Sequence, residues 1–417
     1  MGNKNLTKIN KCRICDSKKL SDVIDLGKQP IPNGFLNEAD LKRIEKKYPL
    51  VAVFCNTCSL MQLKYLVAPE VMFDNYLYIP SVSKTRLRHF ESLASEISAI
   101  ANLKKGSLVI DIGSNDGSLL IAFKNLGNKV LGIDPAANLV IVAQLNGIET
   151  IHGYFDLNLA KKIVKIHGKA KAMTATNVIA HMNNIHEVLK GVETLLARDG
   201  VFVMQFPYLL DLIEKNLFDT IYHEHLSYFS VKSLLYLSKN SKLEMFDIVK
   251  SDLDGGSIKV YWKLKDNKKN AVNKEGIKTI LKKEEEYGLD IKKTYEKFAQ
   301  RVEELRKNTV FELEKLKKKK KSIVGYGAAA KANVLLNYFG ISKKIIDYIV
   351  DSTPYKQGMY APGSHIPIYA EDMIYKTNPD YVIIFAWNFS KEIIEKNKKY
   401  KDLGGKFILI EPEFKIY

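Results

Sequence analysis

The sequence has no apolar run near the ~20 residues that cross a bilayer. Its longest, Tyr381 to Trp387, is the size of a strand. The opening MGNKNLTKINK lacks the apolar core of a secretory signal, and Leu6 stands where a myristoylation signal carries Ser or Thr. These absences predict a soluble cytoplasmic chain with no membrane partner. Glycine (24) and proline (12) are in no excess over 417 residues, which excludes collagen-like and low-complexity chains. Cysteine is scarcer still. There are four, none after position 58, so the rest of the chain has no thiol for nucleophilic catalysis.

What is present is ordinary globular material, 46% apolar and 27% charged, enough for two to four domains. The 64 Lys and Arg outnumber the 47 Asp and Glu, giving +17. Most are lysines spread along the chain, and the densest block, Lys317 to Lys321, ends a charged helical stretch. A dispersed surplus reads as solvated surface and a general attraction for anions. A nucleic-acid footprint is the less favoured reading, and a phosphorylated small substrate fits the surplus equally well.

The four cysteines form two C-x-x-C pairs, Cys12 with Cys15 and Cys55 with Cys58. Each knuckle aims two thiolates at one centre, and two knuckles complete the tetrahedral sulfur cage that Zn²⁺ prefers. The long spacer holds a segment, LGKQPIPNGFL, that can loop out. With four sulfur ligands no position is left for water, so the metal is expected to be structural. Disulfides are the competing reading, disfavoured in a reducing compartment.

From about residue 84 strands and helices alternate, the pattern of a doubly wound parallel sheet with ligands at the carboxyl ends of its strands. A helix is expected over 85–104, then a strand from Leu108 to Ile112, and further strands in KVLGIDP, AKAMTATNV and GVFVMQFP. The first turn reads Asp111-x-Gly113-x-Asn115-x-Gly117, with an acid ahead of the first glycine. A carboxylate there repels a pyrophosphate and suits a cationic ligand. S-adenosylmethionine (SAM) carries an ammonium and a sulfonium and no phosphate. Asp134, ending the next strand, can accept from both ribose hydroxyls.

Candidate chemistry gathers in two later segments, Asn177 to Asn184 and Tyr222-His223-Glu224-His225 with Tyr228. His152, His167 and His186 stand alone and read as structural. On an extended segment residues two apart share a face, so Tyr222 and Glu224 are expected on one side, His223 and His225 on the other. A base with phenol and amide donors suits removal of a proton next to a carbonyl and support of the resulting enolate. Metal binding by the H-x-H pair lacks a third ligand, and H-E-x-x-H is absent. An N/D-P-P-Y/F element for methylation of adenine or glutamine nitrogen is also missing after the fourth strand. Methylation at oxygen or nitrogen of a sugar or other metabolite, a zinc-containing RNA methyltransferase and a non-catalytic binding protein stay open as rivals.

Residues 274–321 read as one long charged helical segment with apolar positions at Tyr295, Phe298, Val302 and Leu305. Then SIVGYGAAAKANVLLNYF repeats the strand, glycine turn and helix, this time with no acid ahead and with Lys331 one turn on, which welcomes phosphate. Strands ending at Asp351 and at Trp387 and Asn388 complete a smaller α/β unit. A packing unit without a ligand would show the same pattern.

Cysteine knuckles, SAM turn, YHEHLSYFS and VGYGAAAK follow in that order, with LGKQPIPNGF and NYLYIPSVS between them. The arrangement resembles the sugar C-methyltransferases that act on nucleotide-linked 4-keto-deoxyhexoses, over nearly the full chain. The resemblance implies a zinc-binding module (1–75), a class I SAM-methyltransferase, Rossmann-like domain (76–265) and a C-terminal Rossmann-like α/β domain (266–417). It implies a nucleotide-sugar substrate and a monomer or small homo-oligomer. Carried over motif by motif, His225 is the base, with Tyr76, His181, Tyr222 and Glu224 around it and Tyr78 a further phenol at the substrate. Asp111, Gly113, Asn115, Gly117, Asp134 and Asn177 hold SAM. Gly325, Tyr326, Gly327, Lys331, Asn333 and Asp351 meet the nucleotide. Two residues depart from the family pattern: Asp254 stands in place of His, and Lys259 where Arg is commoner.

Overall fold

A computed structural model describes residues 5–73, 76 and 78–417. Residue 75, where the first segment was expected to end, and Leu77 of NYLYIPSVS lie outside them. Among the described residues no helix is long and apolar enough to cross a membrane.

The cysteine-bearing segment folds as an antiparallel meander of Leu20–Gln29, Tyr48–Cys55 and Met61–Leu63. Tyr48–Cys55 is rich in β-branched and aromatic residues and buries both faces, all but Pro49 being buried. The fourth strand comes from far along the chain: Ser227–Tyr228, just after the His-Glu-His run, pairs with Met61–Leu63. That pairing draws the candidate base toward the first module.

The central sheet runs Leu243–Ser251, Ser257–Leu264, Leu196–Pro207, Ala170–Thr176, Leu108–Ile112, Lys129–Asp134, Thr150–His152. Five strands are parallel, and Ser257–Leu264 joins antiparallel beside Leu196–Pro207. In order of appearance this is 3-2-1-4-5-7-6, the class I methyltransferase arrangement. Both faces are covered, as parallel sheets require. Val109, Val201 and Val203 pack with Leu93, Leu119 and Phe123 on one face. Their neighbours Ile110, Phe202 and Met204 pack with Ile163, Val188 and Val192 on the other. The strand-helix reading holds here, including the helix expected over 85–104, which spans Lys84–Ile100.

The long charged segment differs from expectation. It is two helices, Lys274–Tyr287 and Lys292–Lys318. Gly288 ends the first in a left-handed conformation (φ 78°) that few other residues adopt. The second buries the three- and four-spaced stripe Tyr295, Phe298, Val302, Leu305, and Tyr295 stacks on Phe54 of the first module at 4.3 Å. The C-terminal sheet is parallel in the order Ile368–Tyr369, Ile349–Val350, Ile323–Tyr326, Tyr381–Ile384, Lys406–Leu409, with Lys415–Ile416 antiparallel at its edge.

Candidate active site

A cavity of about 1190 Å³ opens between the carboxyl ends of the central strands and the glycine turn of the C-terminal sheet. Pockets for one drug-sized ligand run to roughly 300–1,000 Å³, so this space suits a cofactor and a substrate together.

At the central-sheet end, Gly113 has φ 71°, and a Cβ there would meet Val178 at 2.5 Å. Asn115 (φ 51°) gives its N–H to Asp134 Oδ2 at 2.8 Å, and Ala136 gives its own to Oδ1 at 2.8 Å. The carboxylate so closes the turn and keeps further lone pairs for a ligand. Asn177, held at φ 55° by its N–H to Gln205 O (2.7 Å), has its Oδ1 buried without a partner among the described residues. Open backbone and acceptors at the strand ends fit the hydroxyls and ammonium of SAM. Two expectations need correcting. Asp111 lines the cavity but is not a fully charged carboxylate there: it is buried, accepts from Thr174 Oγ1 at 2.6 Å, and burial pushes it up to about 7, so it is only part-ionised at neutral pH. Gly117 is off the cavity wall, and its φ of 80° starts helix Ser118–Asn125.

Tyr76 and residues 78–83 lie above this turn. Asn138 on helix Ala137–Leu145 brackets Tyr76, accepting from its N–H at 3.3 Å and donating to its carbonyl at 2.8 Å. Asn115 Nδ2 donates to Tyr78 O at 3.0 Å, and Ser81 N–H to Asp116 Oδ2 at 3.1 Å. These bonds deliver the Tyr76 ring to the cavity, where Tyr78 also lines the wall.

The His-Glu-His run is a turn, not an extended segment. His225 N–H bonds Tyr222 O at 2.9 Å, which stacks the His225 ring on Tyr222 with centroids 3.9 Å apart and 5.0 Å from His181. The expected sorting of faces therefore fails. His223 points away and meets Tyr48 O at 3.2 Å, while Glu224 is fully buried behind the wall. Glu224 accepts from Asn33 Nδ2 at 2.7 Å and from Tyr76 Oη at 3.1 Å, and burial lifts its carboxyl to about 7. His225 Nδ1 lies 2.8 Å from Thr220 O, so Nδ1 carries the proton and Nε2 is the nitrogen left with a lone pair. Burial brings His225 down to about 4, against weaker support from Thr220 and Asp254. His181 falls well below the ordinary imidazole range, by burial and then by His225. Both rings are neutral at pH 7.

At the C-terminal end, Asp351 accepts from Ala328 N–H at 2.7 Å and Thr353 N–H at 2.8 Å. Lys331 Nζ sits 4.0 Å over the Trp387 ring and 2.6 Å from Asn388 Oδ1. Lys356 Nζ lies 3.8 Å from Asp351. Tyr326, Gly327, Lys331 and Asp351 line the cavity. Gly325 and Asn333 do not. Gly325 lies inside its strand, where a Cβ would meet Phe385 at 2.6 Å. Asn333 is buried and donates to Pro32 O at 2.7 Å, fastening the C-terminal unit to the LGKQPIPNGF segment.

The four cysteine sulfurs lie within 4.8 Å of one another. Cys12 faces Cys58 and Cys15 faces Cys55, each at 3.5 Å, far beyond a disulfide bond. Ligands ~2.3 Å from a tetrahedral zinc stand about 3.8 Å apart. The cage fits zinc.

Sequence reasoning missed Asn33, Asn138 and Arg86 in this site. Asn33 lies in LGKQPIPNGF, but nothing in that motif names Glu224 as its partner. Arg86 holds Asp254 in a two-pronged ion pair, 2.8 and 3.2 Å, on the cavity wall. Lys259, the other departure, pairs with Glu96 away from the cavity.

Three family profiles match successive parts of the chain. Residues 12–73 match a family profile described as "Putative zinc binding domain", 85–246 a methyltransferase domain and 252–412 a C-methyltransferase C-terminal domain. The C-methyltransferase NovU of Streptomyces niveus is 36% identical over 97% of this chain and 96% of its own length. A ubiquinone biosynthesis O-methyltransferase of Rhodopseudomonas palustris (strain TIE-1) is 26% identical over 31% of this chain and 50% of its own. A relative as similar as the first, end to end, settles the family: the chain belongs to the C-methyltransferases, SAM-dependent enzymes built on the central sheet described above.

Proposed function

We propose that the protein methylates a carbon of a nucleotide-linked keto sugar, with His225 removing the proton next to the ketone. The observation that carries this is the fixed tautomer of His225, whose Nδ1–H is spent on Thr220 O while the ring lines the cavity beside Tyr222 and His181. Nε2 takes the proton, and the C–H electron pair passes into the enolate. Tyr76 and Tyr222 stay protonated because burial and Glu224 hold both phenols far above 10, so both can donate to the enolate oxygen. When Glu224 is neutral its O–H can turn toward Tyr76 Oη, freeing the phenol hydrogen for the substrate. SAM, held by Asp134, Gly113, Asn115 and Asn177, supplies when bound the electrophilic methyl that such a carbon accepts. The nucleotide diphosphate is assigned to the C-terminal turn with Lys331 and Lys356 as its cations.

The test is enzyme, labelled SAM and a panel of 4-keto nucleotide sugars in deuterated water. Methyl transfer to carbon with deuterium entering the α position supports the reading, and neither event across the panel rejects it. His225→Asn is expected to lose exchange by about 10³-fold or more while binding both ligands. Because His225 stays neutral down to about pH 4, kcat/KM for exchange should remain level far below the ordinary histidine midpoint before it falls.

A further inference from the structure

The turn carrying His225 belongs to the central domain by sequence but is gripped at each end by another part of the chain. At its start, Phe218 stacks on Phe339 of the C-terminal unit, with centroids 5.4 Å apart. Asp219, 1% exposed, accepts the Trp387 indole N–H at 2.7 Å. Glu411, also C-terminal, lies buried beside Asp219, and that burial with the neighbouring charge raises its carboxyl well above the usual carboxylate range. The next residue, Thr220, supplies the carbonyl that takes the His225 Nδ1 proton. At the far end, Arg13 reaches in from between Cys12 and Cys15. Its Nη1 donates to Leu226 O at 2.7 Å, one residue past His225, and Nη2 to Leu63 O at 3.0 Å. Nε and Nη1 also bond Asn183 Oδ1 (3.1 Å) and Gln62 Oε1 (3.2 Å). All four acceptors are neutral. A half-buried guanidinium whose hydrogen bonds go to neutral acceptors, two of them main-chain carbonyls, fixes the geometry of the segments it joins.

We infer that Arg13 and Trp387 are positioning residues for the base: one fixes Leu226, the other fixes Asp219, and between them they hold the Thr220 carbonyl and the His225 ring in the orientation that proton removal needs. The inference rests on the assignment of His225 above. Trp387 also lies under Lys331, so its grip joins the nucleotide end of the cavity to the base.

The experiment measures α-deuterium exchange of a 4-keto nucleotide sugar by the full-length zinc-loaded protein, with SAM affinity by calorimetry as the control for folding. A misplacement near 1 Å can cost about 10²-fold. Arg13→Ala and Trp387→Phe are each expected to lower kcat for exchange by about that factor, with the SAM Kd unchanged and sugar KM within a few-fold. Added guanidinium should restore part of the Arg13→Ala loss, which general loosening of the fold would not allow. If Arg13→Ala no longer binds SAM, Arg13→Lys takes its place, expected to bind SAM normally and to fall between wild type and His225→Asn. Exchange at the wild-type rate in either folded variant overturns the inference. Absence of exchange in the wild-type protein overturns the assignment of His225 instead.

Discussion

The chain uses a strand, a glycine turn and a helix twice, and the two copies close alike but are charged differently. In both, the aspartate ending the next strand accepts backbone N–H groups near the turn: Asp134 from Asn115 and Ala136, Asp351 from Ala328 and Thr353. What surrounds them differs. The first copy has acceptors facing the cavity, Asp134 among them, and a part-ionised Asp111 ahead of its glycine. The second has no acid ahead, Lys331 on its helix, and Lys356 folded back to donate to Ala328 O at 2.8 Å. The turn creates the opening; the charges beside it choose the ligand. That is why a glycine pattern alone says little and its flanking residues say much.

Asp134→Ala breaks the comparison most severely. It removes the ligand's acceptor and orphans two N–H groups at once, so the SAM Kd should rise by about 10²-fold, measured by calorimetry. Nucleotide affinity should stay within a few-fold; an equal loss of both would show that the two turns do not act separately. Lys331→Ala is the converse and smaller. One charged contact to phosphate is worth about 1.5–3 kcal/mol, so the nucleotide-sugar KM should rise by about 10-fold or more, with SAM binding unmoved. Glu224→Gln sharpens the comparison where the copies meet, and its effect on activity should be smallest, about 10-fold or less, because the amide can donate to Tyr76 as the neutral acid does. Its effect on stability has a definite sign. A carboxyl near 4.5 when unfolded and about 7 when folded binds more protons in the native state, so native stability is lost as pH rises through that window. At pH 8 the variant should be more stable than the parent by up to about 3 kcal/mol, and near pH 4 the gap should close. Chemical denaturation at the two pH values checks it.

The parts legible in the sequence are those whose chemistry is local. The cysteine knuckles, Gly113, Asp134 and the strand-helix alternation each need only a few neighbours to be recognised. The misreadings are also local, where a single backbone angle decides. The left-handed Gly288 cuts the charged segment into two helices. The bond from His225 N–H to Tyr222 O bends an apparently extended run, exchanging which side chains share a face. What stayed hidden joins residues far apart: Asn33 with Glu224, Arg86 with Asp254, Trp387 with Asp219. No spacing rule links such pairs, because packing of whole units sets them. Gly325 and Asn333 were misplaced for the same reason. They share the motif with Lys331 but turn into the strand and toward Pro32.

Gathering every thiol into one cage has a practical consequence. With its sulfurs held by metal, the protein offers no other cysteine to an alkylating reagent, so one introduced on exposed Lys161 and another on exposed Lys398 could be labelled cleanly. A spectroscopic ruler between those two sites would report whether the C-terminal unit approaches the methyl-donor half when SAM and a candidate substrate arrive.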